Sequence, residues 1–139
     1  MEQVYVKEGL PASAEAVWQL IRDFHDISAW ASSGRILDAN GDGVGAVRRV
    51  QTPLGLAVER CEMHDEQGCQ FSYALLESPW PLKNYVATVK VSPASESQCN
   101  IEWSSQYDVP PGMSLKDEVE KMYRHSFIKT LRKTLSAKA

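Results

Sequence analysis

Arg48 and Glu59 are the two residues of this chain whose types and spacing best suit chemistry. They lie in two strand-like runs, 44–52 and 56–64, joined by Pro53-Leu54-Gly55. If Pro53-Leu54 centres the turn, Val50 faces Ala57 and Arg48 faces Glu59 across the hairpin. Val50 is apolar and looks inward, so strand alternation carries Arg48 and Glu59 to the same inner face. A guanidinium and a carboxylate on an apolar face are costly unless hydrogen-bonded, and such a pair is often present for a reason other than stability. A one-residue slip in register would turn both outward, as an ordinary surface pair. The inward register gives an anchor for the polar end of a ligand. Glu59 and Tyr85 are also the two candidates for catalytic acid–base work. A carboxylate held by an arginine is a poor proton donor, which favours binding over catalysis.

The other reactive residue types assemble nothing. His25, His64 and His125 fall in a helical turn, a strand end and a helix, without the spacing of a metal site. Cys61, Cys69 and Cys99 are odd in number and lack a CxxC, so neither a disulfide framework nor a zinc knuckle is indicated. There is no GxSxG elbow for a serine nucleophile. Gly41-Asp42-Gly43-Val44-Gly45 lies between two strands rather than between a strand and a helix, so it is a turn and not a phosphate loop. No cofactor motif and no metal ligand set is expected.

The elements that must position these side chains fit one domain over residues 1–139. A first strand around Val4–Glu8 ends at Gly9 and Pro11. Ser13 then caps a short helix over 14–22, and 23–30 (DFHDISAW) reads as a second, broken helical turn. Six further strands follow, at 35–38, 44–52, 56–64, 69–76, 85–91 and 100–107, with turn chemistry between them. Within them, Phe71, Tyr73 and Leu75 share an inner face, as do Tyr85, Ala87, Val89 and Val91, and Ile101, Trp103, Ser105 and Tyr107. The last segment, 112–139, is one long amphipathic helix with Ser114 as N-cap and Asp117 at capping-box spacing. Its apolar stripe is Leu115, Val119, Met122, Tyr123, Phe127, Leu131 and Leu135, and its acidic start and basic end complement the helix dipole. Trp18 and Trp103 are expected in the core. Trp30 and Trp80 fall in loops, where packing alone explains a large aromatic less readily, and Trp80 between two prolines suits a stiff lid.

Lysine plus arginine number 15 against 18 acidic residues, a net charge of −3, so no basic field exists to hold nucleic acid. No run approaches the ~20 apolar residues of a membrane span. The N-terminus reads directly as a strand rather than a signal peptide, and a reduced, cytoplasmic protein is the expectation. A homodimer is compatible with the sequence, which does not fix the oligomeric state.

In order and spacing, ASAEAVWQLIRDF, GDGVGAVRRV, VERCEMHDEQGCQFSYALLESPWPLKNYVATVKV and IEWSSQYDVPPG, followed by the closing helix, resemble the START-like (SRPBCC) superfamily. Within it the chain is most similar to small bacterial polyketide cyclase/dehydrase-like proteins and, in layout, to the abscisic acid receptors. The resemblance covers essentially the whole chain. It implies an α+β helix-grip fold: a seven-stranded antiparallel sheet curved around a long C-terminal helix, with two short helices after the first strand and a hydrophobic cavity between sheet and helix. It also implies that Glu59 is a cavity-facing acid and that Tyr73, Leu75 and Tyr85 are cavity walls. Pro53-Leu54-Gly55 and Ser78-Pro79-Trp80-Pro81-Leu82 would be the loops closing over the mouth. The receptors' carboxylate-anchoring lysine falls at Ala31 or a neighbouring serine, so hormone sensing is not implied.

The expected function is binding of a small hydrophobic or aromatic molecule, a lipid or polyketide-like compound. The binding residues would be Arg48, Val50, Glu59, Tyr73, Leu75, Trp80, Leu82, Tyr85, Trp103, Met122, Tyr123 and Phe127. The alternative is a cyclase or dehydratase working in the same cavity through Glu59 or Tyr85.

Overall fold

A computed structural model describes residues 1–31 and 33–138. Ser32, beside the Ala31 position, and Ala139, the last residue of the expected helix, lie outside the described residues. Seven strands form one antiparallel sheet: β1 (Glu2–Leu10), β2 (Arg35–Asn40), β3 (Val47–Thr52), β4 (Gly55–Asp65), β5 (Gln70–Glu77), β6 (Lys83–Pro93) and β7 (Cys99–Asp108). Their spatial order is β1-β7-β6-β5-β4-β3-β2, so the chain walks back across the sheet as a meander once β2 has been placed at the far edge. The β3–β4 register is the expected one, with Arg48 opposite Glu59 and Val50 opposite Ala57.

Bulges bend the sheet at defined places. Between Val58 and Glu59 the ladder skips Leu76 of β5, and between Cys61 and Met63 it skips Glu62 of β4. The second bulge reverses the alternation of β4. As a result His64, not Met63, turns inward, its ring 5.4 Å from that of Trp18.

Helix α1 (Ala14–Ile21) buries Val17, Trp18 and Ile21, and the Ser13 hydroxyl accepts the Ala16 N–H at 3.1 Å as its N-cap. The expected second helix is not formed. Asp23 and Asp26 instead fold their carboxylates back on the N–H groups of His25 and Ser28, each at 2.9 Å. Such local side-chain bonds compete with helical ones. Trp30, expected as a loop residue, is buried in the core, with ring centroids 5.1 Å from Trp103 and 4.9 Å from Phe127.

The closing helix runs as α2 (Lys116–Lys121), a π-helical segment (Met122–Ile128) and α3 (Lys129–Lys138). Its start departs from the expected capping box: Leu115 is the N-cap residue, and the Ser114 hydroxyl accepts the Lys116 N–H only at a long 3.5 Å. The Leu115 N–H instead donates to the Glu2 carboxylate of β1 at 2.9 Å, a cap supplied from the far end of the chain. The π segment shifts the buried stripe. Burial passes from Val119 to Tyr123, then five residues on to Ile128, then to Leu131. Ile128 therefore takes the core place that α-helical spacing assigns to Phe127, and Phe127 becomes half-buried. The basic residues of the helix do more than complement its dipole. Arg124 and Arg132 both donate to Glu8 of β1, at 2.9 and 2.7 Å, fastening the helix to the edge strand.

Candidate functional site

A cavity of about 510 Å³ lies between the sheet and the π-helical segment. Strands β3, β4, β5 and β6 contribute Val50, Ala57, Glu59, Tyr73, Leu75 and Tyr85 to its walls. The helix contributes Met122, Ser126 and Phe127, and the turn after α1 contributes Ile27, Trp30 and Ala31. Met122 and Phe127 are five residues apart. In an α-helix that separation would place them about 140° apart. The five-residue repeat of a π-helix brings both to the cavity side.

Two loops frame the mouth. Thr52 organises the β3–β4 turn: its hydroxyl donates to the Gly55 carbonyl at 2.8 Å and accepts the Leu54 and Gly55 N–H groups at 3.2 Å. Gly55 sits at φ 141°, and a Cβ there would come 3.3 Å from Pro79 of the β5–β6 loop. Glycine is thus what allows the two loops to meet. Leu54 at the tip is 66% exposed. Glu118, Lys121 and His125, all exposed, rim the opening from the helix side.

Arg48, Trp103 and Tyr123 do not line the cavity but lie behind its wall. Arg48 is 1% exposed. Its Nε donates to Glu59 Oε1 at 2.8 Å and its Nη1 to the Phe24 carbonyl at 2.7 Å. The guanidinium lies 4.0 Å from the Phe24 ring centroid, with Trp30 and Tyr73 each at 5.6 Å. Aromatic faces thus replace part of the water that this charge gives up. Glu59 lines the cavity, and among the described residues only Arg48 donates to it.

The phenols form a second polar layer. Trp103 Nε1 donates to the Tyr73 hydroxyl at 3.3 Å, and the hydroxyls of Tyr85 and Tyr123 are hydrogen-bonded to each other. Burial pushes Tyr73 and Tyr85 well above the ordinary phenol range, so both stay protonated. Tyr85 can therefore donate a hydrogen bond but cannot serve as a base near neutral pH. Stacked or tilted rings continue from Phe71 through Tyr73 and Tyr85 to Tyr107, giving the wall an aromatic spine.

Of the residues singled out in the sequence, Val50, Glu59, Tyr73, Leu75, Trp80, Leu82, Tyr85, Met122 and Phe127 come together around one space. Sequence reasoning missed Ile27, Trp30 and Ala57, which also line it, as does Ala31. It also missed Phe24, which stacks on Arg48. The dense aromatic content of DFHDISAW was the available signal. Among the described residues, no trio of His, Cys, Asp or Glu is grouped to hold a metal ion, and no helix is long and apolar enough to cross a membrane.

Residues 1–136 match the sequence profile of the family described as polyketide cyclase / dehydrase and lipid transport. An uncharacterized protein from Bacillus thuringiensis has a similar structure, with TM-score 0.81 and 25% identity over 95% of this chain and 97% of that one. The protein XoxI from Bacillus cereus superimposes with TM-score 0.80 at 24% identity, covering 100% of this chain and 99% of its own. A protein from Nitrosospira multiformis gives 0.78 at 24%, covering 98% and 94%.

Proposed function

Because the chain belongs to the polyketide cyclase/dehydrase and lipid transport family, we propose that it binds a small hydrophobic or aromatic molecule between sheet and C-terminal helix. The carrying observation is the cavity. Tyr73, Trp103 and Phe127 do not fill the space, and about 510 Å³ remains, within the range of small-molecule sites. Its walls are mainly aliphatic and aromatic, with few polar groups on the inner side. Such a lining gains from burying apolar ligand surface, at about 25 cal/mol per Å². A fluorescent apolar probe, pyrene, titrated into the purified protein tests this directly. The wild type should bind it, and Ala57→Phe, which fills the cavity from β4, should bind it at least tenfold more weakly while keeping its far-UV circular dichroism. A wild type that leaves pyrene emission unchanged would refute the reading.

One observation favours a second reading. Glu59 and Tyr85 line the same space, the first a proton acceptor and the second a hydroxyl kept protonated by burial. In a cyclase or dehydratase, Glu59 would take a proton from a bound polyketide-like substrate while Tyr85 donates a hydrogen bond to the oxygen that gains charge. Glu59→Gln would then retain binding of the substrate and lose turnover.

A further inference from the structure

We infer that the ligand enters with a hydroxyl head, an alcohol or a phenol, against Glu59, and that molecules headed by a carboxylate are rejected at the inner end. This rests on the reading that the cavity holds a ligand. The charged residues on its lining divide by position. Glu118, Lys121 and His125 are exposed at the rim, whereas Glu59 is an inner wall residue with a side chain only 13% exposed.

The matching positive charge cannot be reached. Arg48 is 1% exposed and does not line the cavity; its Nε is held by Glu59 and its Nη1 by the Phe24 carbonyl, while its Nη2 is buried without a partner among the described residues. From the cavity side the guanidinium is backed by Trp30 and Tyr73, both lining residues with rings 5.6 Å from it, and an anionic head would meet the Glu59 carboxylate first. What the cavity offers a polar head is therefore an acceptor. Glu59 Oε1 is used by Arg48, and Oε2 takes no hydrogen bond from any described residue.

A carboxylate oxygen in an apolar wall gains most from a donor aimed at it. Net charge then selects among donors. Arg48 and Glu59 already sum to zero, so a neutral hydroxyl adds no buried charge. An ammonium would bring an uncompensated one into a low-dielectric space. The aromatic and aliphatic walls take the remainder of the molecule.

The test uses one skeleton with three heads: pyrene, 1-hydroxypyrene and 1-pyrenecarboxylate, each titrated into the full chain at pH 7 by fluorescence. A hydrogen bond to a charged group corresponds to about tenfold or more in affinity. We expect 1-hydroxypyrene to bind at least tenfold more tightly than 1-pyrenecarboxylate and more tightly than pyrene. Glu59→Gln, checked for native circular dichroism, should narrow the gap between the first two, because it removes the repulsion. The wild-type series stands without that variant if the variant does not fold. Should 1-pyrenecarboxylate bind as tightly as 1-hydroxypyrene, the inference is overturned while the cavity reading survives. If none of the three binds, both fall together.

Discussion

The hydroxyl of Tyr85, on the sheet, is hydrogen-bonded to the hydroxyl of Tyr123, on the π-helical segment. Both residues are buried, and the contact ties helix to sheet at the cavity wall, which Tyr85 lines and Tyr123 backs. Removing one hydroxyl takes a hydrogen bond from the other at a buried position, which costs about 1–3 kcal/mol. Tyr123→Phe should therefore lower the unfolding free energy by that amount in urea denaturation. The Tyr85→Phe/Tyr123→Phe double variant should lose less than the sum of the two single losses. Additive losses would show that the two hydroxyls are not coupled.

Arg48 and Glu59 should show stronger coupling. Arg48→Met leaves the Glu59 carboxylate against an apolar wall without its partner, and loss of one member of a buried pair costs about 3–5 kcal/mol. Replacing both, as Arg48→Met/Glu59→Leu, removes the desolvation cost along with the attraction. The double variant should recover to within about 1–2 kcal/mol of the wild type. Chemical denaturation of the four proteins in the cycle measures this. A double variant as unstable as Arg48→Met would mean that the pair itself, rather than the stranded charge, sets the stability.

A surface cluster predicts an acid-sensitive step. Glu66, in the turn after β4, accepts from Arg22 Nε at 2.9 Å, His64 Nε2 at 2.9 Å and Trp18 Nε1 at 3.0 Å, clasping α1 to the sheet. The Arg22 hydrogen bond first, then those of His64 and Trp18, hold its carboxyl down at about 2 against an ordinary 4.5. A lowered value means the ionised form is favoured by folding. Its stabilisation is complete above about 4.5 and is lost as pH falls toward 2. The wild type should exceed Glu66→Gln in stability at pH 7, with the gap closing between those limits. A gap that stays constant from pH 7 to pH 2.5 would contradict the assignment.

Local signals made most of the sheet readable. The turn residues at Pro53-Leu54-Gly55 fixed the β3–β4 register, and that register alone placed Arg48 opposite Glu59 on the inner side. What alternation could not show was depth. Arg48 and Glu59 share a face, yet Arg48 is enclosed by the rings of Phe24, Trp30 and Tyr73 while Glu59 stays on the lining. Phe24 arrives from a turn whose path is set by the carboxylates of Asp23 and Asp26 and not by any periodic pattern. The bulge at Glu62 was equally hidden, because an extra residue in one strand leaves no mark in composition. The helix cap was missed for a related reason: its acceptor, Glu2, lies at the opposite end of the chain.

The π-helical segment gives the sharpest test of the helix. With uninterrupted α-helical phasing, Ile128 would lie about 140° from Tyr123, toward solvent. Here Tyr123 and Ile128 are both fully buried, while Phe127 is turned to the cavity. Ile128→Ala should accordingly cost about 2–5 kcal/mol, as for deletion of a core side chain. Phe127→Leu removes an aromatic wall that packs on Trp30 and Trp103 but leaves that core position filled. It should keep the fold and weaken pyrene binding about tenfold, the equivalent of about 1.4 kcal/mol of wall contact. Thermal unfolding and pyrene titration of the two variants separate the roles. An Ile128→Ala protein within about 0.5 kcal/mol of the wild type would be the behaviour of a surface residue, and the five-residue step would have to be abandoned.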